Sequence, residues 1–281
     1  MKTMLKVKSV IVLLVLLLTA PAFAQNAQVS EVQVKASKMS APVKCTIILP
    51  EEYTDPDCQE AQYPVLYLLH GYGGNNNSWV QKKEDLPDLA SQYSVIIVCP
   101  DGRNSWYWDS PVNKESQYET FMTKDLIEYI DNTYRTVPEA GMRAITGLSM
   151  GGHGALFLAL RHPELFGSCG SMSGGVDIRP FPEKWCMKDA LGAYETNKEL
   201  WEKSTVINLV PGLSTTQNIV VECGVDDFFI TVNRNLHKAL MDAKIKHDYT
   251  ERPGAHTWDF WCNAIDYQLL FFSKAFDAYA K

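Results

Sequence analysis

Gly147-Leu148-Ser149-Met150-Gly151 stands between a strand-like run, 143–148, and a helix-like run, 152–162. No other feature of the 281 residues restricts the fold as strongly. A strand that becomes a helix within so few residues forces unusual backbone angles on the serine, and glycines flank it because a Cβ there would strike the strand or the helix. The G-x-S-x-G pattern, extended by Gly152 and Gly154, therefore predicts a nucleophile elbow that lifts the Ser149 hydroxyl clear of a sheet. The helix beginning beside it points unpaired N–H groups at the same spot.

The remaining sequence supplies such a sheet. Val43–Leu49, 64–69, 95–99 and 219–222 are short apolar runs closed by Gly or Pro, the pattern of strands buried on both faces. Between them, 118–134 carries an apolar stripe on Phe121, Leu126, Ile127, Tyr129 and Ile130, and 231–243 and 259–278 behave similarly. Strand alternating with helix predicts an α/β fold with a mostly parallel central sheet and helices on both faces. Segment 176–213, with Trp185 and Trp201 among Pro, Gly and Lys, breaks the alternation. It is expected to be a small insertion packed over the sheet's edge and the active site. The polar stretch up to about residue 40 is expected to be mobile.

Composition narrows the function classes. With 46% hydrophobic residues a sizeable core is available, and the formal charge of −7 argues against a nucleic-acid partner. Residues 1–24 show a lysine-bearing start, an apolar run from Val10 to Leu18 and an Ala22-Phe23-Ala24 end. That is the layout of a secretory signal, too short to span a bilayer, so an exported chain starting near Gln25 and free of the membrane is expected, with 25–281 as one catalytic domain. The seven cysteines form no C-x-x-C pair. Cys45, Cys99 and Cys223 read as buried free thiols, and a disulfide among Cys58, Cys186 and Cys262 stays open. No H-E-x-x-H, P-loop or dinucleotide fingerprint occurs, so neither a metal nor a cofactor is expected.

A serine hydroxyl needs a general base, and the base needs an orienting carboxylate, in the chain order Ser, acid, His. Of six histidines, His256 lies in a Gly-containing loop beyond the last strand-like run, where such sheets place function. Glu222, Asp226 and Asp227 are the candidate acids; position alone leaves the two aspartates open, and either could cap the helix that follows. His70-Gly71-Tyr72-Gly73-Gly74 follows the strand at 64–69, which nominates the Tyr72 and Met150 N–H groups as an oxyanion pair.

Tyr67-Leu68-Leu69-His70-Gly71, the string from Gly147 to Leu156, Cys223-Gly224 with Asp227-Phe228, and His256-Thr257-Trp258 together resemble the esterase-D-like branch of the α/β hydrolases. That branch includes S-formylglutathione hydrolases, feruloyl and acetyl esterases acting on plant polysaccharides, and mycolyltransferases. The resemblance implies an α/β-hydrolase fold and selects Asp227 as the acid beside Ser149 and His256. It implies an exported serine carboxylesterase acting on acetyl or feruloyl esters of carbohydrates. An acyltransferase, a formylglutathione thioesterase or a non-catalytic carbohydrate-binding descendant are the alternatives. The loop from Asp101 to Trp108 resembles the family's acyl-pocket loop, which makes Trp106, Trp108 and, further on, Trp258 candidate substrate contacts.

Overall fold

The computed structural model describes residues 27–281; the signal segment expected at 1–24 lies outside the described residues. One eight-stranded sheet runs through them, made of β1 Gln28–Val34, β2 Val43–Leu49, β3 Val65–Leu69, β4 Ile96–Pro100, β5 Arg143–Gly147, β6 Ser168–Met172, β7 Asn218–Gly224 and β8 Asp248–Arg252. Their spatial order is 1-2-4-3-5-6-7-8. The β1–β2 and β2–β4 pairs are antiparallel, and every pairing from β4 through to β8 is parallel.

Helices α1 Ser78–Lys82, α2 Leu86–Gln92, α3 Tyr118–Thr120, α4 Leu126–Thr133, α5 Met150–Arg161, α6 Met187–Leu191, α7 Lys198–Lys203, α8 Ile230–Asp242 and α9 Trp258–Tyr279 cover the two faces. A π-helical turn, Phe121–Asp125, joins α3 to α4. One face packs Phe121, Ile130, Leu158 and Leu236 of the π turn, α4, α5 and α8 against the sheet. The other packs Trp79, Leu86, Ile265 and Leu269 of α1, α2 and α9. Because both faces are covered, β3, β4 and β5 are buried at every residue, which is why β3 and β4 read as unbroken apolar runs.

Two strands depart from the sequence reading. The stretch expected to be mobile forms β1, an exposed edge strand paired in full register with β2 from Gln28 to Val34. Only Val34 of its seven residues is buried, with Val32 partly so, too little apolar face for a pattern to reveal. β6 is Ser-Cys-Gly-Ser-Met, small residues with little strand preference that are nevertheless fully buried. Their size is a packing requirement: a Cβ on Gly170 would lie 2.5 Å from Gln268 Oε1 of α9.

Segment 176–213 carries α6, α7 and a 3-10 turn at Val206–Leu209. Its buried Met187, Leu191, Trp201 and Val206 join the core on the α5 and α8 side. All seven cysteines are free thiols. Among the described residues no helix is long and apolar enough to cross a membrane.

Candidate active site

Ser149 holds φ 54° and ψ −116° at the junction of β5 and α5. A non-glycine residue at positive φ costs roughly 1–3 kcal/mol and persists only where its surroundings over-determine it. Here they do: the Ser149 N–H donates to Met172 O at 2.9 Å, and Ser149 O accepts from His153 N at 3.0 Å. Gly151 permits the turn to sit this deep, since a Cβ there would come within 2.6 Å of both Leu69 O and His70 O.

The strand order places three separate chain segments at this edge. Beyond β7 and β8 the backbone ladder continues, Val225 N–H to Arg252 O and Asp226 N–H to Gly254 O, each 2.9 Å. This registers the loop bearing Asp227 against the loop bearing His256. His256 Nε2 lies 2.9 Å from Ser149 Oγ, and its Nδ1 lies 2.8 and 3.0 Å from the two carboxylate oxygens of Asp227. An Nδ1–H directed at the carboxylate leaves Nε2 free to accept the serine proton.

The structure separates the candidate acids. Asp227 is buried, 2% exposed, and its Oδ1 also accepts the Phe229 N–H at 2.8 Å. It therefore meets the imidazole and caps the following turn at once, so the two roles weighed for an aspartate here are not exclusive. Asp226 faces solvent. Glu222 is taken up by Arg252 and Gln268, at 3.1 and 3.2 Å. Burial pushes its carboxyl up to about 7 against the opposing pull of Arg252.

On the other side of Ser149 lies the His70–Gly74 loop. The Gly71 carbonyl accepts two bonds, from His70 Nδ1 at 2.7 Å and from Gly74 N at 3.0 Å. Because the peptide group is planar and trans, fixing that carbonyl also fixes the Tyr72 N–H in the opposite direction. His70 is itself held by the Gly102 N–H on Nε2 at 2.9 Å, and Tyr107 Oη donates to His70 O at 3.1 Å. Among the described residues neither the Tyr72 nor the Met150 N–H is given to another backbone carbonyl.

A cavity of about 810 Å³ opens over Ser149 and His256. Trp258 lines it, together with Tyr72, Trp185, Phe228 and Trp261. Trp106 and Trp108, the other aromatic candidates, do not: they are 1% and 2% exposed and lie in the core. Their rings stack at 5.6 Å, and both meet the His153 imidazole edge-on at 5.2 Å. The physical reason is His153, which burial pulls down to about 4 and so keeps neutral. Its Nε2 accepts the Trp108 indole N–H at 3.1 Å, while Nδ1 pairs with Gly175 O at 3.0 Å. Trp106 in turn donates to Trp185 O at 3.3 Å and supports the pocket wall from beneath. Trp106→Ala should cost about 3–5 kcal/mol of stability. A urea titration checks this, and a change confined to the Michaelis constant would contradict the buried placement.

No sequence pattern marks Trp185 and Phe228 as pocket residues. They stack at 5.8 Å with planes 18° apart, and Phe228 also covers the His256 ring at 4.2 Å. The only available signal was the position of Phe228 next to Asp227. Among the described residues no group of His, Cys, Asp and Glu is arranged to hold a metal ion.

A family model described as "Putative esterase" matches residues 36–272. An acetyl esterase of Caldicellulosiruptor saccharolyticus is 29% identical over 243 residues, covering 81% of this chain and 90% of its own length. An esterase of Mycobacterium tuberculosis is also 29% identical, over 239 residues and 75% of this chain, which spans about half that relative (52%). Among solved structures, a ferulic acid esterase superposes with a TM-score of 0.77 at 27% identity, over 89% of this chain and 99% of the other. The matched span contains β2 through β8 with Ser149, Asp227 and His256. The chain accordingly belongs to this esterase family and is a carboxylic ester hydrolase built on the α/β-hydrolase fold.

Proposed function

We propose that the protein is an exported serine esterase that hydrolyses acetyl or hydroxycinnamoyl esters of carbohydrates. The observation that carries this reading is the unbroken hydrogen-bond chain from Ser149 through His256 to Asp227 at the floor of the 810 Å³ cavity. Ser149 Oγ attacks the ester carbonyl as His256 Nε2 takes its proton. The Tyr72 and Met150 N–H groups receive the developing oxyanion at the start of α5, where such donors are worth roughly 2.7–4 kcal/mol of barrier each. His256 then protonates the departing alcohol, leaving an acyl group on Ser149. Water, deprotonated by the same imidazole, releases the acid and restores the serine. Asp227 holds the imidazolium in both steps.

The acetyl and ferulic acid esterase relatives support the acyl choice, and the aromatic wall of Trp185, Phe228, Trp258 and Trp261 suits a planar phenolic ring or the face of a sugar. The lysine-flanked apolar segment ahead of Gln25 supports export. Rates on methyl ferulate, acetylated xylan and S-formylglutathione test the reading. One of the first two should reach a kcat/KM of about 10⁴ M⁻¹ s⁻¹ or more. Preference for S-formylglutathione, or acyl transfer to an added sugar in place of water, would overturn it.

A further inference from the structure

Two hollows outside the catalytic cavity meet at Arg103. One, about 310 Å³, runs from Gln33 and Met39 to Asp101; the other, about 270 Å³, runs from Asn104 to Asp189 on α6. Both are lined by Arg103, Glu115 and Tyr118, so they form one groove. Its inner end abuts the catalytic cavity through a thin wall. Asn104 Oδ1 accepts the Gly73 N–H at 2.8 Å, and the Tyr72 hydroxyl touches Cys186 Sγ at 3.1 Å. Tyr72, Asn104 and Cys186 are all solvent-exposed at that wall.

The loop displaying Arg103 is strained. Arg103, Trp106 and Tyr107 have φ of 45°, 56° and 62°, and non-glycine residues at such angles gather at functional sites. The buried Tyr107 and Trp106 side chains and the Ser105 hydroxyl, which accepts Tyr107 N–H at 3.0 Å, hold the loop in place. The result leaves Arg103 exposed, its N–H on Asp101 Oδ1 at 2.9 Å and its guanidinium in no ion pair among the described residues. Glu115, in contrast, is occupied by the Ser40 N–H and hydroxyl.

The geometry points to this groove as the subsite for the sugar chain attached to the scissile ester, with Arg103 and Asp189 hydrogen-bonding its hydroxyls. This rests on the carbohydrate-ester reading above. Both donors, on Arg103, Lys44 and Asn104, and acceptors, on Asp101 and Asp189, line the groove, and the hydroxyls of a sugar can pair with either. Asp101, Glu115 and Asp189 face it against Arg103 and Lys44, so an anionic sugar gains little and the ligand is a neutral oligosaccharide.

Arabinoxylan oligosaccharides carrying one feruloyl group and one to four sugars test it on the full chain. The kcat/KM should rise about tenfold with length, a gain that Arg103→Ala and Asp189→Ala each reduce severalfold. No gain with length, or the same gain in both variants, would overturn the subsite while leaving the esterase reading intact. Should none of the esters be hydrolysed, the functional reading falls. The groove is then decided by NMR titration of underivatised xylotetraose into the Ser149→Ala chain: binding weakened about tenfold by adding Arg103→Ala supports it, and binding indifferent to that change sinks it.

Discussion

Ser149→Ala abolishes turnover of p-nitrophenyl acetate almost entirely, with kcat falling by about a millionfold, while the fold persists. The size follows from the geometry: the Oγ removed is the hydroxyl that lies 2.9 Å from His256 Nε2, and without it no acyl-enzyme can form. The proposed oxyanion donors, the Tyr72 and Met150 N–H groups, are backbone groups and survive the change, so a residual rate over water is expected. Stability should scarcely move, because alanine at φ 54° bears the same strain as serine. Ser149→Gly separates the two effects. It is equally inactive, yet relief of the left-handed backbone should raise stability by about 1 kcal/mol. Kinetics and urea titration of the three chains side by side measure both quantities. Substantial turnover in either variant would remove Ser149 from the chemistry, and a destabilised glycine variant would mean that the backbone at the elbow is not strained.

What could be read in the sequence divides along a physical line. Features fixed by local chain chemistry are legible: the elbow, because its glycines answer a steric demand within five residues, and β3 and β4, because burial on both faces leaves an apolar run. Features fixed by tertiary neighbours are not. β6 looks like a loop because α9 dictates its small residues. Trp106 and Trp108 look like binding residues because aromatics in a loop suggest a pocket, whereas a buried neutral imidazole, His153, gives them an interior partner. The wall they were expected to form comes instead from Trp185, in the segment with no regular pattern, and from Phe228. Asp226 and Asp227 are neighbours in sequence, and only the direction in which the turn after β7 faces separates them.

That separation yields the second large effect: Asp227→Asn lowers kcat by about 10⁴, whereas Asp226→Asn changes it by less than about twofold. In the wild-type chain one Asp227 oxygen accepts both the Phe229 N–H and, at 3.0 Å, the His256 Nδ1–H, while the other lies 2.8 Å from the same nitrogen. An asparagine replaces one of these two oxygens by an NH₂ donor. If the oxygen stays on Phe229 N, the amide NH₂ faces His256 and forces Nδ1 to become the acceptor, which moves the imidazole proton to Nε2. The nitrogen facing Ser149 is then a donor and cannot take the hydroxyl proton. If the oxygen turns to His256, the NH₂ meets the Phe229 N–H, and the buried turn loses its cap at a cost of about 1 kcal/mol or more. Either way the relay fails although the side chain has nearly the same shape. Asp226 points to solvent, and only its backbone N–H takes part, in the bond to Gly254 O. Steady-state kinetics on one simple ester decide the point: equal losses in the two variants would mean that charge near the loop matters rather than the directed bond to His256.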